Sequence, residues 1–286
     1  MTVPPRILAI AGSDSSGGAG IQADIKTITM LGGYAMTAVT AVTAQNTTGV
    51  AMIEALSPAM VGAQIDACLA DIGADAVKIG MLGSPEIAHV VADRLEKLTV
   101  PVVFDPVMVA TSGAVLADDA TIAAFARLIR LAALTTPNLP ELEVLAGAKV
   151  AVGAWSQREA AQAVMDRFGA PAILAKGGHS PGGIPIRQGP ADEALQNSTG
   201  DLLFDCLYAR SAEGGWSEWE FPHARIDTRH THGTGCTLSS AIATGLATGL
   251  ALDAAVRSAI DFVQAALRAA PGFGAGHGPM GHQAVR

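Results

Sequence analysis

Short apolar runs alternate with amphipathic stretches along the chain. Residues 6–11 (RILAIA), 75–79, 100–105 (VPVVFD) and 172–176 are rich in Val, Ile, Leu and Ala; residues 35–43 are β-branched and small, and 134–136 form a further short strand. Continuous apolar runs of this length read as strands buried on both faces. Helical spacing appears between them. Ile21, Ile25, Ile28 and Leu31 recur along one face of a helix that follows the first strand. Further helices are predicted over 58–72, with Pro58 in its first turn, and over 85–98, 118–131 and 157–168. Another opens at Pro137-Asn138-Leu139-Pro140-Glu141. Residues 201–209 and 216–221 alternate apolar and polar, which predicts an antiparallel hairpin. Two Ala-rich helices, starting at Gly235 and Leu252, close the pattern. Residues 180–200 are rich in Pro, Gly and polar side chains and predict a flexible surface loop. No linker or internal repeat divides the chain, so residues 1–286 are expected to form one domain. Strands alternating with helices predict an α/β fold, a mainly parallel sheet with helices on both faces. Ligands of such sheets bind beyond the C-terminal strand ends.

Composition narrows the function classes. Half of the 286 residues are apolar and 15% are charged, enough apolar surface for a large core. The net charge of −8 argues against a nucleic-acid partner, which favours a basic face. A small anionic ligand stays compatible, because local dipoles and a few lysines hold a phosphate inside an acidic protein. The three cysteines are widely spaced and lack zinc-site spacing, which fits a reducing compartment. The start MTVPPRILAIAG lacks the features of a signal peptide, and no apolar run is long enough to cross a bilayer. A cytoplasmic protein with no membrane partner is expected.

The polar residues at strand ends, or just after them, are Gly12, Asp14, Asp24, Gln45, Asp105, Asn138, Glu141 and Lys176. They come from different strands and are expected to converge on one crevice. Gly18-Ala-Gly20-Ile-Gln-Ala23 fits the dinucleotide pattern G-x-G-x-x-A, but residues 35–44 lack the acid that would hold a ribose. The loop also lacks the lysine of a P-loop. It reads as a substrate loop, with Asp24 facing a small polar ligand. Gln45 offers a donor and acceptors, matching a heterocycle with an amino group beside a ring nitrogen. Asp105, Asn138 and Glu141 are hard oxygen donors of the kind that hold Mg²⁺, and Glu141 reads equally as a first-turn helix acid. Lys176 suits a transferring phosphate, while Lys78 reads as structural.

His232-Gly-Thr-Gly-Cys236 opens a helix. Unpaired N–H groups at a helix start seat an anion. Cys236 in the first turn is expected to have a lowered pKa. The alternative is a Gly-rich loop before a buried helix with a core Cys. The seven histidines show no metal spacing; His179, His232 and His277, each beside a glycine, read as loop residues, with little weight given to His232 beside the anion seat.

The segments AIAGSDSSGGAGIQADIKT, TAVTAQNT, KIGML, DPVM, TPNLPE, KGGH, HGTGCTLS and GHGP span almost the whole chain. In that order they resemble the ribokinase-like superfamily and, within it, the hydroxymethylpyrimidine/phosphomethylpyrimidine kinases of thiamine biosynthesis. The resemblance implies a three-layer α/β/α sandwich, a homodimer, ATP with Mg²⁺, and two successive phosphorylations of 4-amino-5-hydroxymethyl-2-methylpyrimidine. By position it places Gln45 on the pyrimidine, with Gly12, Asp24, Thr43, Met81 and Val107 lining that pocket. It places Asp105, Asn138 and Glu141 on the Mg²⁺–nucleotide side. Lys176 and the backbone of Gly233, Thr234, Gly235 and Cys236 take the phosphates, and Cys236 takes the place of the base. Related pyridoxal kinases share the terminal Cys of this motif and are the nearest alternative; a catalytically dead pyrimidine sensor is a second.

Overall fold

The computed structural model describes residues 3–110, 113, 116–150, 157–177, 202–211 and 214–285. The described strands are β1 (Arg6–Asp14), β2 (Tyr34–Asn46), β3 (Gly49–Ala55), β4 (Ala76–Ile79), β5 (Val102–Phe104), β6 (Leu134–Thr135), β7 (Ala172–Ala175), β8 (Leu202–Arg210) and β9 (Trp216–Ala224). The described helices are α1 (Gly20–Met30), α2 (Pro58–Asp71), α3 (Pro85–Leu95), α4 (Asp119–Leu131), α5 (Leu139–Ala146), α6 (Gln157–Phe168), α7 (Thr234–Ala247) and α8 (Leu252–Arg268). The strands form one sheet in the order β3-β2-β1-β4-β5-β6-β7-β8-β9. Pairing from β2 through β7 is parallel; β3, β8 and β9 add antiparallel edges.

The sheet separates two apolar layers. Leu8 and Ile10 of β1 pack with Val61, Ile65, Val91 and Phe125 on the side of α2, α3, α4 and α6. Ile7 and Ala9 point the other way, to Ile28, Ala241, Ile242 and Val256 of α1, α7 and α8. Both faces of β1 are therefore buried, which is why RILAIA is apolar throughout rather than alternating. The three-layer α/β/α architecture expected from the sequence is the one observed.

Local chemistry starts the helices. Ser57, Ser84 and Asp118 accept backbone N–H bonds as N-caps of α2, α3 and α4, and proline occupies the first turn of α2 and α3. Asn138 and Glu141 form a reciprocal capping box on α5, which ends at Gly147 with φ 72°.

Two local expectations change. β2 runs on through Gln45 to Asn46, whose side-chain oxygen accepts the N–H groups of Thr48 (2.9 Å) and Gly49 (3.2 Å). That turn feeds β3, an edge strand absent from the hydrophobic pattern. Its residues are largely exposed, so no buried face imposes alternation on GVAMIEA. The loop expected over 180–200 lies outside the described residues.

Candidate active site

The parallel strands diverge at β1, whose crossovers lead to β2 on one side and β4 on the other. A crevice at such a switch point is the expected ligand site. A cavity of about 790 Å³ opens there. Gly12 and Asp14 reach it from β1, Thr43 and Gln45 from β2, and Met81 from the loop after β4. Asp105 and Val107 follow β5, Asn138 and Glu141 follow β6, and Lys176 follows β7. Gly233, Thr234, Gly235 and Cys236 close it from the start of α7. All the predicted site residues but one therefore share one cavity.

The exception is Asp24. It is fully buried, does not line the cavity, and forms an ion pair with Lys78 at 2.8 Å and 3.0 Å. Ser240 of α7 donates to the same carboxylate at 2.7 Å. Asp24 sits in the first turns of α1 with its side chain turned toward β4, which rules out the ligand-facing place expected for it. Lys78 is structural, as the sequence reading had it. Burial opposes its charge, but the Asp24 carboxylate prevails and holds its pKa above the usual lysine value.

The acid that organises the glycine loop is Asp14. Its carboxylate accepts the N–H groups of Ser16 (2.9 Å), Gly18 (3.1 Å) and Ala19 (2.9 Å) and the hydroxyl of Ser16 (2.8 Å). The loop amides that a dinucleotide phosphate would need are thus spent on an internal carboxylate. Gly20 is at φ +56°, and a Cβ there would collide with the Gly12 carbonyl oxygen, so the fold requires glycine.

Asp14 also binds His232 Nε2 at 2.8 Å. Burial pushes the Asp14 carboxyl up, yet its bonds from His232, Ser16 and the backbone win and hold it below the usual carboxylate range. An ionised Asp14 accepts the proton on His232 Nε2. The Gln45 amide nitrogen lies 3.4 Å from the same ring nitrogen, and two donors cannot bond each other. At the other end of that amide, Thr43 Oγ1 lies 3.1 Å from Gln45 Oε1 and equally 3.1 Å from the Ser13 carbonyl oxygen, and the two acceptors share its one hydroxyl proton. The Gln45 N–H groups are left to face a ligand in the cavity. His232, a glycine-flanked loop residue by its sequence, is 4% exposed and lines the cavity. Its position directly before Gly-Thr-Gly-Cys was the only signal, because its partner is 218 residues away.

The opposite arm carries charge. Lys176 Nζ bonds Asp105 Oδ1 at 2.9 Å, and Thr136 donates to that oxygen at 3.0 Å. Burial lowers the pKa of Lys176, but Asp105 and Glu141 outweigh it and keep the ammonium charged. Burial pushes Glu141 up to about 7, against the pull of Lys176. Asn138 and Glu141 bond each other's backbone N–H at 2.8 and 2.9 Å, so the helix-acid reading of Glu141 also holds.

Helix α7 starts at Gly233, which has φ 86° and no side-chain cap. A Cβ on Gly233 would land on the Gly18 carbonyl oxygen. A Cβ on Gly235 would come within 3.1 Å of Asp105 Oδ2 and 3.4 Å of Lys176 Nζ. Glycine here keeps the uncapped helix start close to the lysine, and the N–H groups have no side-chain competitor for an anion. The lowered pKa expected for Cys236 is overturned. Burial pushes its thiol up to about 11, and Lys78 only partly offsets this. The desolvation of a helix start wedged between buried carboxylates exceeds the dipole's help.

The family profile "Phosphomethylpyrimidine kinase" matches residues 14–281, almost the whole described fold. The chain belongs to the phosphomethylpyrimidine kinase family. It is therefore a phosphotransferase. It is 45% identical to the hydroxymethylpyrimidine/phosphomethylpyrimidine kinase of Rhizobium meliloti, covering 96% of each chain. It is also 45% identical to the thiamine biosynthesis bifunctional protein ThiED of Geobacter sulfurreducens, where 96% of this chain covers 52% of that longer protein. The crystal structure of phosphomethylpyrimidine kinase from Clostridium difficile 630 superposes with TM-score 0.71 at 35% identity, covering 91% of this chain and 98% of the other. The Bacillus subtilis pyridoxal kinase in its ADP complex superposes with TM-score 0.80 at 30% identity, covering 99% and 98%. Among the described residues no helix is long and apolar enough to cross a membrane.

Proposed function

We propose that this kinase uses ATP to phosphorylate 4-amino-5-hydroxymethyl-2-methylpyrimidine and then its monophosphate, giving the diphosphate used in thiamine biosynthesis. The observation that carries this reading is one cavity with two unlike arms. One presents the held amide of Gln45; the other presents Lys176 beside an uncapped helix start. Gln45 binds the aminopyrimidine edge, with Gly12, Thr43, Met81 and Val107 around the ring. Met81 lies so close to Gly12 that a Cβ there would meet its methyl group. Lys176 and the backbone N–H groups from Gly233 to Cys236 draw the γ-phosphoryl oxygens into place. Phosphoryl transfer passes through a loose transition state, and positioning with aimed donors supplies most of the rate.

The donor chemistry beside Lys176 fits a magnesium ion. Asp105 and Glu141 supply hard oxygens already engaged with protein donors, and Asn138 stands beside them. Such a set holds Mg²⁺ on a nucleotide largely through water. Held there, such an ion would neutralise phosphate charge. Glu141 must shed its proton below about pH 7 to take part.

Cys236 occupies the base position. Its thiol is protonated at neutral pH in the free cleft. The base role therefore requires that the thiol lose its proton as the substrates assemble.

A homodimer built on the β2–β3 edge fits the exposure of Val42 (48%), Met52 (66%) and Ile53 (41%). Three free cysteines, Cys68, Cys206 and Cys236, fit action in the cytoplasm.

The test is ATP turnover with the pyrimidine and with pyridoxal, side by side, in wild type and Gln45→Ala. We expect the pyrimidine to have the higher kcat/KM, and Gln45→Ala to lower it by about ten- to a hundredfold, mostly through KM. Higher kcat/KM on pyridoxal overturns the substrate assignment.

A further inference from the structure

A second, partly buried polar chain runs beyond Lys176, with Asp205, His223 and Gln264 lining the same cavity, and the site described so far does not use it. Gly177 follows Lys176 and donates its N–H to Asp205 Oδ1 at 2.7 Å. The turn lies so tightly on β8 that a Cβ on Gly177 would strike the Phe204 carbonyl oxygen. Asp205 Oδ2 then meets His223 Nε2 on β9 at 3.3 Å. His223 Nδ1 meets Gln264 Nε2 on α8 at 3.1 Å, and Arg268 donates to Gln264 Oε1 at 3.3 Å.

The polarity of this chain is determined by its ends. Arg268 has only donors, so Gln264 must present its oxygen to Arg268 and its N–H to His223. His223 Nδ1 therefore accepts, and its proton sits on Nε2, facing the carboxylate. Every group has one defined role, and all of them finish on a single backbone N–H next to Lys176. A buried carboxylate with satisfied donors on both oxygens is a rigid anchor.

We propose that Asp205, His223 and Gln264 are positioning residues for phosphoryl transfer. They pin the Lys176–Gly177 turn and so set where the ammonium stands against the migrating phosphoryl group. Five strands separate β8 from β2, so this chain acts on the phosphate arm without touching the arm that holds Gln45. Displacement of a catalytic group by about 1 Å costs up to about a hundredfold in rate, which sets the expected scale.

The inference rests on the transfer role proposed for Lys176. The experiment measures kcat and both KM values for wild type, Lys176→Ala, Asp205→Ala, His223→Leu, His223→Gln and Gln264→Leu, with melting temperatures for all. Lys176→Ala is the control: if it keeps wild-type kcat, the parent reading fails and the relay with it. With that control behaving, we expect Asp205→Ala and His223→Leu to lose about ten- to a hundredfold in kcat, with the pyrimidine KM within about twofold. His223→Gln, whose amide can donate to Asp205, recovers a large part of the loss. Unchanged kcat in both disruptive variants overturns the proposal. So does a rise confined to the ATP KM, which marks direct nucleotide contact, or a fall in melting temperature with kcat intact. Should Asp205→Ala fail to fold, Gln264→Leu reads the far end of the same chain and is expected to lose at least about threefold in kcat; an unchanged value there also overturns it.

Discussion

Cys236 and Lys176 stand at the same helix start yet face different electrostatic problems. Lys176 has two carboxylates to offset its desolvation and stays charged. Burial outweighs the help Cys236 receives from Lys78, the carboxylates of Asp24 and Asp105 oppose its ionisation further, and its thiol is pushed up to about 11. Alanine at each position should therefore act on rate. Cys236→Ala is expected to lower kcat by about 10²–10⁴-fold, the usual scale for a lost general base, with little change in pyrimidine KM. Lys176→Ala should likewise act on kcat. Steady-state kinetics on purified variants checks both, and unchanged turnover in Cys236→Ala removes it from the base role. At this scale most site residues were legible in the primary structure, because Gln45, Asp105, Asn138, Glu141 and Lys176 each interrupt or end an apolar run. His232 and Asp14 were not read as a pair. Their bond spans 218 positions, and no local spacing encodes it.

Between elements, α1, β4 and α7 are locked by one buried ion pair. Lys78 and Asp24 are both wholly inaccessible, and Ser240 adds a hydrogen bond from α7. Removing one partner of a buried pair leaves an unpaired charge, which typically costs about 3–5 kcal/mol. Lys78→Met should cost about that much in denaturant unfolding, and the double variant Lys78→Met/Asp24→Leu should recover a large part of it. A loss below about 1 kcal/mol in the single variant contradicts the lock. This pair also explains why Asp24 was misplaced. A carboxylate near a glycine loop has the same signature whether its helix turns it to the crevice or to the sheet. Helical phase relative to the packed layers decides, and that phase is set by contacts with α7 far along the chain. The elements themselves were readable where a buried face imposed a period, as in α6, and unreadable where none did, as in β3.

At the scale of the whole molecule, His282 ties the chain's last described turn to α7. Thr237 Oγ1 lies 2.8 Å from His282 Nε2 in a buried contact. Burial, with Lys26 adding to it, lowers the His282 pKa from 6.5 to about 4. The unfolded chain takes up this proton first as pH falls, so the contribution of His282 to stability is lost as pH goes from about 6.5 down to about 4, whereas Glu141, raised to about 7, contributes in the opposite direction between about 7 and 4.5. Asp14, held below 3.8, adds a further loss only under that window. Between neutral pH and about 4, the melting temperature of wild type should decline relative to that of His282→Gln, since Glu141 contributes equally to both. Equal slopes for the two proteins remove His282 as the source.

The alternation of strands and helices apart from β3, the double burial of the sheet, and the set of oxygen and nitrogen donors at strand ends follow from the sequence alone. Each depends on local periodicity or on a residue's chemistry. The tertiary structure decided what depends on distant partners. It turned Asp24 toward Lys78 and gave the glycine loop to Asp14. It made His232 a neighbour of Gln45 and raised the Cys236 thiol by burying it among carboxylates. It also joined Gly177 to α8 through Asp205 and His223. Protonation, tautomer and side-chain direction are properties of a surrounding that exists only once the layers have packed.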